Sequence, residues 1–259
     1  MAFFKNVFRA RHILFSLVNQ DLKNKYRNSF FGIGWSLLTP LGLVLIIGLV
    51  FSQVLKQPIK DFVPFLFSGL IPWLYLVQCA DGGTAAFISG QGYIKQTQTP
   101  IEIFPIRVVL TSFVQLLYSL AAFFIMYLFI SPENFNTNMF FVIISLPIWL
   151  LAGIGLATIS AIINTYIRDY SHLQSLIIQG LFYATPIMYP VSLLEKSKYR
   201  WIYEWNPIHY LIEIIREPLL GKKMPDLSIW LSAVGFVFLI LFIGVLSIGK
   251  IGRKITFRL

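Results

Sequence analysis

Aromatic rings are the side chains through which this chain could contact a substrate, since 24 Phe, 12 Tyr and 6 Trp make up 16% of its residues. Many lie at the ends of long apolar segments: Phe30, Phe31, Trp35, Trp73, Tyr75, Phe182, Tyr183, Tyr189, Tyr199, Trp201, Tyr203 and Trp205. Flat rings can stack on the C–H faces of sugars along a pathway. They also anchor helices at the two surfaces of a membrane, which is the commoner use. Both interpretations stay open for each ring.

Side chains suited to hydrolytic, metal or acid–base chemistry are sparse and scattered. His12, His172 and His209 fall in different segments, so the sequence predicts no metal site. No paired carboxylates suit acid–base work on a sugar or a lipid. Gly221-Lys222-Lys223 lacks the upstream glycine and the hydroxyl residue of a phosphate-binding loop. We therefore expect no catalytic residue, no cofactor and no ATP hydrolysis in this chain.

The positions of the charged residues mark the boundaries of the helices that must hold these side chains. All 32 of them, 21 Lys and Arg plus 11 Asp and Glu, lie outside six uncharged segments of at least 19 residues. About 20 apolar helical residues cross the roughly 30 Å hydrocarbon core of a bilayer, and a helix satisfies its own backbone groups there. The sequence therefore predicts an all-α integral membrane protein with six spans at 33–51, 62–79, 108–130, 139–163, 173–189 and 227–248.

The distribution of charge predicts the orientation of these spans. With both termini in the cytoplasm, the cytoplasmic segments hold 13 basic and four acidic residues, against eight basic and seven acidic residues outside. This is the positive-inside bias. Residues 3–27 have an apolar and a basic side at helical spacing, which predicts an amphipathic helix in the membrane interface. The net charge of +10 then serves topology and lipid contact, and we expect no nucleic-acid partner.

The uncharged spans also bear on how transport would be driven. Ion-driven carriers usually hold an ionisable residue within the membrane, and here Asp81, Arg107 and Arg168 lie only at the edges. Energy would then come from a separate ATPase subunit. The connector after the second span carries the apolar pairs Phe87-Ile88 and Tyr93-Ile94 among glycines and polar residues. We expect this patch to dock another protein on the cytoplasmic side.

The segment between the fifth and sixth spans is predicted to form short helices on the outer side. Asn206 is a suitable cap and Pro207 a suitable first residue for a helix, which an apolar stripe continues until Pro218. Such a helix is too short to cross a bilayer. Re-entrant helices within 191–220 that gate a pathway are one interpretation, and a helix resting on the outer surface is another.

A series of motifs runs along nearly the whole chain. In order, they are Lys25-Tyr26-Arg27 with Gly32-Ile33-Gly34-Trp35, then Ser68-Gly69-Leu70-Ile71-Pro72-Trp73, Tyr93-Ile94-Lys95, Arg168-Asp169-Tyr170, Thr185-Pro186, and Asn206-Pro207 with Arg216. Their order and spacing resemble the permease subunit of ABC transporters that export O-antigen, capsule or teichoic-acid polysaccharides. The resemblance implies one transmembrane domain over residues 1–259.

The resemblance implies partners as well. Two copies of this chain would form a channel in the bacterial inner membrane, joined to two ATP-binding subunits that bind ATP and Mg. The exported substrate would be a lipid-linked polysaccharide, O-antigen above all. Residues 84–99 would couple to the ATPase, with 164–172 as a second contact. The implied coupling residues are Phe87, Ile88, Gln91, Tyr93, Ile94, Lys95, Arg168 and Asp169.

The resemblance further implies three sets of substrate contacts. A lipid-pyrophosphate headgroup would arrive at a lateral opening near Lys25, Tyr26, Arg27 and Ser29, where the two cations are phosphate ligands or plain membrane anchors. The implied channel aromatics are Phe30, Trp35, Trp73, Tyr75 and Tyr183. The implied outer gate comprises Trp201, Trp205, Asn206, Pro207 and Arg216.

Other functions compete with polysaccharide export. A membrane-embedded glycosyltransferase would need clustered carboxylates on one face, and the sequence contains none that are visible. An ABC permease for drugs or lipids would differ in the connector after the second span and in the outer loop. A secondary carrier is disfavoured because the spans are uncharged.

Overall fold

The computed structural model describes residues 2–27, 29–97, 99–195, 197–255 and Arg258, and helices dominate this part of the chain. In chain order they are α1 (Ala2–Arg9), α2 (Arg11–Lys25), α3 (Trp35–Val54), α4 (Ile59–Ser89), α5 (Gln91–Gln96), α6 (Ile103–Ile130), α7 (Val142–Tyr166), α8 (Tyr170–Ala184), α9 (Ser192–Glu195), α10 (Trp201–Glu204), α11 (Pro207–Leu219) and α12 (Leu227–Ile255). One 3-10 turn (Gly32–Gly34) precedes α3, and two 3-10 turns (Pro132–Asn134 and Thr137–Phe141) precede α7.

Five helical segments within the described residues are long and apolar enough to cross a membrane. They are Gly32–Val54, Ile59–Gln96, Ile103–Ile130, Thr137–Tyr166 and Leu227–Gly252. These segments contain the predicted spans at 33–51, 62–79, 108–130, 139–163 and 227–248. The all-α class and the multi-pass character of the chain are therefore confirmed.

The predicted fifth span, at 173–189, forms a shorter helix than the sequence suggested. α8 ends at Ala184 after 15 residues, which is about 22 Å of helix against a hydrocarbon core of roughly 30 Å. Thr185 is extended, and Pro186 cannot donate the backbone hydrogen bond that would continue the helix. Six full-length spans are not found in the described residues. The placement of both termini in the cytoplasm stays a prediction.

Helix α4 is the centre of the bundle and packs against α3, α6, α7, α8 and α11. It approaches α7 so closely that a Cβ at Gly83 would stand 2.8 Å from the Cα of Ala157. The sequence predicted the end of this helix near Cys79, but the close packing on α7 supports it through to Ser89. The predicted coupling segment 84–99 thus begins within the end of α4 and continues through α5, and its coupling role stays a prediction.

The predicted interface helix at 3–27 is two helices, divided at Ala10. The buried face of α2 carries Leu14, Leu17 and Val18 and packs on α6. Two polar links fasten this N-terminal pair to the start of α6. Asp21 accepts two hydrogen bonds from the Arg107 guanidinium, one of them 2.6 Å long, and Asn6 donates to Glu102 over 2.8 Å.

Candidate functional site

The turn between α2 and α3 closes one side of a cavity. The amide of Ser29 donates to the carbonyl of Tyr26 over 3.1 Å, and the Tyr26 hydroxyl is hydrogen-bonded to the hydroxyl of Ser36 in α3. Gly32 adopts a φ of 49°, a left-handed conformation that favours glycine. These features fold the end of α2 back over the first turns of α3.

The cavity lies between α2, α3, α4 and α6 and has a volume of about 380 Å³. That volume falls in the usual range of small-molecule sites, about 300–1,000 Å³. It is lined by Lys25, Tyr26, Ser29, Trp35, Ser36, Thr39, Pro40, Leu43, Ile71, Leu74, Tyr75, Gln78, Gln115, Leu116 and Ser119. Three predicted lipid-pyrophosphate residues and two predicted channel aromatics thus meet around one space.

Lys25 is the cation of this cavity, and its position is fixed from α6. Its ammonium donates a hydrogen bond to the side-chain carbonyl of Gln115. Lys25 is exposed as a residue, but partial burial of its ammonium among the surrounding helices lowers its pKa from the usual value, because the ammonium loses part of its hydration. A partly dehydrated cation gains more from an anionic ligand than a fully hydrated one does. The site therefore suits a phosphate-bearing ligand.

A second cavity, of about 410 Å³, continues from the first between α2, α4 and α6. The two share Lys25, Gln78 and Gln115 as lining residues. The remaining lining residues of the second cavity are Asp21, Val77, Asp81, Gly82, Val108, Thr111 and Ser112. Together the two cavities make an extended groove beside α2, in which polar groups are set in a largely apolar lining.

Other predicted substrate residues lie outside this groove. Arg27 is exposed and does not line either cavity. Phe30 and Tyr183 are exposed, and Phe30 has 97% of its surface accessible. Trp73 is buried and packs against Phe182, with the ring centroids 5.6 Å apart. The structure therefore brings together Trp35 and Tyr75 but not all five predicted channel aromatics.

The predicted coupling residues gather at the end of the bundle that carries α5. Asn164, at the end of α7, donates to the carbonyl of Thr84 over 2.9 Å and accepts from the amide of Ser171 over 3.2 Å. These two hydrogen bonds hold the turn before α8, which contains Arg168 and Asp169, beside the last part of α4. The two predicted contact segments therefore share one end of the molecule.

Only part of the coupling set is available to a partner. The exposed members are Ile88, Tyr93, Lys95, Arg168 and Asp169, and Gln91 is half-buried. Phe87 and Ile94, which were expected in an exposed apolar patch, are buried in the hydrophobic core. The extension of α4 and the packing of α5 against it turn these two side chains inward, so their role is to support the surface.

At the opposite end, Arg216 of α11 is buried with 2% of its surface accessible. Its guanidinium donates to the carbonyls of Pro186 and Ile187, over 2.8 and 3.1 Å, and to the Glu213 carboxylate over 2.8 Å. It also lies 4.5 Å from the centre of the Phe65 ring in α4. Arg216 thus supplies the hydrogen-bond donors that the broken end of α8 lacks.

The α11 cap is formed as the sequence predicted. Asn206 accepts a hydrogen bond from the amide of Ile208 over 3.0 Å, and Pro207 occupies the first helical position. The Asn206 amide also donates to the Thr185 hydroxyl over 2.8 Å. Trp201 and Trp205 lie in and after α10 and are exposed. The predicted gate residues therefore divide into a buried group on α11 and two exposed tryptophans.

Comparison with known proteins identifies the family of this chain. The profile of the ABC-2 type transporter family matches residues 13–220, which covers the groove, the coupling end and α11. The chain belongs to the ABC-2 type transporter family. Permeases of this family normally pair with a separate ATP-binding subunit.

Individual relatives of this ABC-2 chain include two that are named as export permeases and one that is named as a nodulation protein. An O-antigen export system permease protein RfbA from Myxococcus xanthus is 29% identical over 239 residues, 91% of each chain. One from Klebsiella pneumoniae is 29% identical over 209 residues, 79% of each chain. Nodulation protein J from Neorhizobium galegae is 27% identical over 113 residues, 42% of each chain.

Sequence reasoning missed the amide and hydroxyl residues of the ABC-2 groove. Thr111, Gln115 and Ser119 lie at spacings of four residues on α6, which places them on one helix face. Such a polar stripe in an otherwise apolar helix was the signal available in the sequence. Gln78 on α4 gave no local signal, since the residues that line the groove with it lie on α2 and α6.

Proposed function

We propose that this chain is the permease subunit of an ATP-driven transporter that exports a lipid-linked polysaccharide, O-antigen above all, from the cytoplasm. The observation that carries the proposal is the agreement of two features. Relatives named as O-antigen export permeases align with up to 91% of the chain, and three of the four predicted lipid-pyrophosphate residues, Lys25, Tyr26 and Ser29, line one cavity. The membrane is the bacterial inner membrane, where such substrates are made.

Lys25 is the proposed ligand of the substrate phosphate. Its ammonium lies at the junction of both cavities and is held by Gln115. Hydrogen bonds between a cation and a phosphate are about twice as strong as neutral ones. Tyr26 and Ser29 line the same wall and add hydroxyl groups. Arg27 is exposed nearby, where it would attract an anionic headgroup or anchor α2 to the membrane surface.

Export requires a second copy of this chain in the proposal. α8 exposes Leu173, Leu176, Ile177 and Tyr183, and Gln174 is its one buried residue among those described. α3 exposes a similar apolar face, and only 22% of that segment is buried. These surfaces support a homodimer that encloses the translocation channel. Trp201, Trp205 and the α11 group would border its outer mouth.

The proposed ATP-binding subunits, two per transporter, contact the α5 end. The exposed residues Ile88, Tyr93, Lys95, Arg168 and Asp169 form that contact. ATP and Mg are bound and used in those subunits, and this chain only transmits the change. An Ile88→Asp variant should lose the co-purifying ATP-binding subunit, because the contact would bury an unpaired carboxylate. Retention of the subunit in equal ratio would remove Ile88 from the contact.

Deletion of this chain in its native host tests the proposal as a whole. We expect lipid-linked polysaccharide to accumulate inside the cell and to disappear from the surface, with both restored by the wild-type chain. Polysaccharide that never forms, or forms with altered linkages, would indicate a glycosyltransferase instead. Normal surface polysaccharide would contradict export. The composition of the accumulated glycan separates O-antigen from capsule and teichoic acid.

A further inference from the structure

The groove between α2, α4 and α6 contains buried polar atoms without a protein partner. The side-chain carbonyl oxygen of Gln78 and the hydroxyl oxygen of Thr111 are both buried and make no hydrogen bond within the described residues. Both residues line the second cavity, and Gln78 lines the first as well. Such groups are rare in folded proteins, and each calls for an explanation.

The burial of these atoms makes their isolation costly. Gln78 and Thr111 belong to helical segments that are long and apolar enough to cross a membrane, and they lie three and four residues from Asp81 and Arg107 respectively. A buried polar group without a partner carries the full cost of its lost hydration. An apolar residue at either position would remove the cost. The polar side chains therefore fit a groove that a hydrogen-bonding ligand completes.

Gln115 extends the same surface with free donors. Its carbonyl accepts the hydrogen bond from Lys25, while its amide nitrogen donates to no other group in the described part of the chain. A carboxamide can pair with neighbouring hydroxyl groups as both donor and acceptor. Two such amides, shared by both cavities, and the Thr111 hydroxyl of the second cavity suit a ligand that carries several hydroxyl groups.

The charges around the groove restrict the ligand further. Asp21 also lines it, but its carboxylate is occupied by the bidentate bond to Arg107. Asp81 accepts a hydrogen bond of 3.4 Å from Gln174. Lys25 carries the positive charge at the junction of the two cavities. The groove thus offers one cation, two carboxylates that are each bonded to another side chain, and several neutral hydrogen-bonding groups. The cation and the neutral groups suit a phosphate followed by a polyol.

We infer that Gln78, Thr111 and Gln115 form a subsite for the sugar unit attached next to the lipid phosphate. The inference rests on the proposed function for the position of the phosphate at Lys25. A rotation of the Gln78 side chain brings its orphaned carbonyl to a sugar hydroxyl, and Thr111 and Gln115 hold further hydroxyls. This subsite makes the transporter sensitive to the first sugar as well as to the lipid.

The test is direct binding to the full-length protein in lipid nanodiscs. The probes are a short prenyl diphosphate bearing one hexose, the same prenyl diphosphate without sugar, and phosphatidylglycerol as an ordinary phosphate–polyol lipid. Gln78→Met and Thr111→Val remove one hydrogen-bonding group each at nearly constant shape. Gln53→Met, at an exposed position near the end of α3, is the matched control.

We expect each groove variant to bind the sugar-bearing probe about 3- to 10-fold more weakly, as one lost hydrogen bond predicts, and the bare diphosphate unchanged. The thermal midpoint of the empty protein should stay the same or rise, because an unpaired buried group has been removed. Gln53→Met should change none of these quantities. A selective loss for phosphatidylglycerol instead would assign the subsite to a bulk lipid and overturn the inference.

The outcomes distinguish a failure of the sugar subsite from a failure of the proposed function. Wild-type protein that binds neither diphosphate probe would contradict the proposed function. Wild-type protein that binds both probes, with Gln78→Met and Thr111→Val equal to wild type on each, would overturn the sugar subsite alone. A fall in thermal midpoint with equal weakening for all probes would show that the two side chains only support the fold.

Discussion

The two ends of the helical bundle differ in how their central buried polar side chains are bonded. At the α11 end, the terminal nitrogens of Arg216 donate to Pro186, Ile187 and Glu213, while its Nε and the Nδ1 of His209 lack a hydrogen-bond partner among the described residues. In the groove beside α2, Gln78 and Thr111 have no protein partner among the described residues. A paired buried group stabilises its surroundings, whereas an unpaired one costs stability. The Arg216 hydrogen bonds therefore hold the helices of the α11 end in fixed contact. The groove beside α2 is the site that the inferred ligand completes.

This contrast changes the interpretation of the predicted outer gate. Arg216 joins α11 to the broken end of α8 and to the face of α4 at Phe65. A helix held in this way is a poor candidate for a mobile element. The exposed Trp201 and Trp205 precede it and have no such tie. If the outer mouth opens, we expect movement in residues 191–205 while α11 stays in place.

Removing Arg216 is expected to have the largest effect on the fold. Arg216→Met leaves the carbonyls of Pro186 and Ile187 without donors and Glu213 without its partner. Breaking a buried ion pair in this way costs about 3–5 kcal/mol, so the thermal midpoint in detergent and the yield should both fall sharply. Arg200→Met is the control, since Arg200 pairs with Glu204 on the exposed surface and little should change. Equal effects of the two substitutions would contradict the tie.

A substitution at Gly69 tests the same tie from α4. A Cβ at this position would approach the Arg216 guanidinium far more closely than van der Waals contact allows. Gly69→Ala must displace a buried charged group, and overpacking of this kind costs about 1–3 kcal/mol. Gly42→Ala is the control, because a Cβ there meets nothing within 4 Å. If both variants have the same thermal midpoint, Arg216 does not sit against Gly69.

The ion pair between Asp21 and Arg107 should have an intermediate effect. Asp21→Ala frees α2 from the start of α6 and removes hydrogen bonds to a charged group, each worth about 1.5–3 kcal/mol. We expect a lower thermal midpoint and weaker export, because α2 carries Lys25. Lys60→Ala removes an exposed pair with Glu133 at 3.7 Å and should cost about 0–1 kcal/mol. An Asp21 variant as stable as the Lys60 variant would show that packing alone holds α2.

Local signals in the sequence predicted local structure well. Five of the six uncharged segments form the long apolar helices that were predicted, because helix length and hydropathy depend on consecutive residues. Asn206 and Pro207 predicted the start of α11 for the same reason, since a cap bonds to the next turn. The early end of α8 also had a local cause in Pro186, but its apolar composition outweighed that signal in the prediction.

Features that depend on distant partners were not predicted. The glycines after Asp81 suggested a loop, yet Gly83 lets α4 pack on Ala157 and the helix continues to Ser89. That extension buries Phe87, which the sequence placed on an exposed patch. Gln78 of α4 and Gln115 of α6 line the same groove. No residue close to either in the sequence indicates that these two side chains lie near one another. Tertiary packing decided each of these features.

Lys25 and Arg27 should give the smallest change in stability and a clear difference in function. Lys25→Gln removes the charge at the junction of the cavities, while Arg27→Gln removes an exposed charge that lines neither. Both variants should keep the wild-type thermal midpoint, because neither cation is in an ion pair within the described residues.

Export, measured as surface polysaccharide against the lipid-linked pool inside the cell, should fall about tenfold for Lys25→Gln, since one charge-assisted hydrogen bond of about 1.5 kcal/mol is lost. It should fall less for Arg27→Gln, whose role is attraction to the membrane surface, and that smaller loss should vanish at high salt. Equal losses would place both residues in the anchor role. The groove would then recognise its ligand through neutral groups alone. In this it would differ from the α11 end, where the charged Arg216 makes the hydrogen bonds.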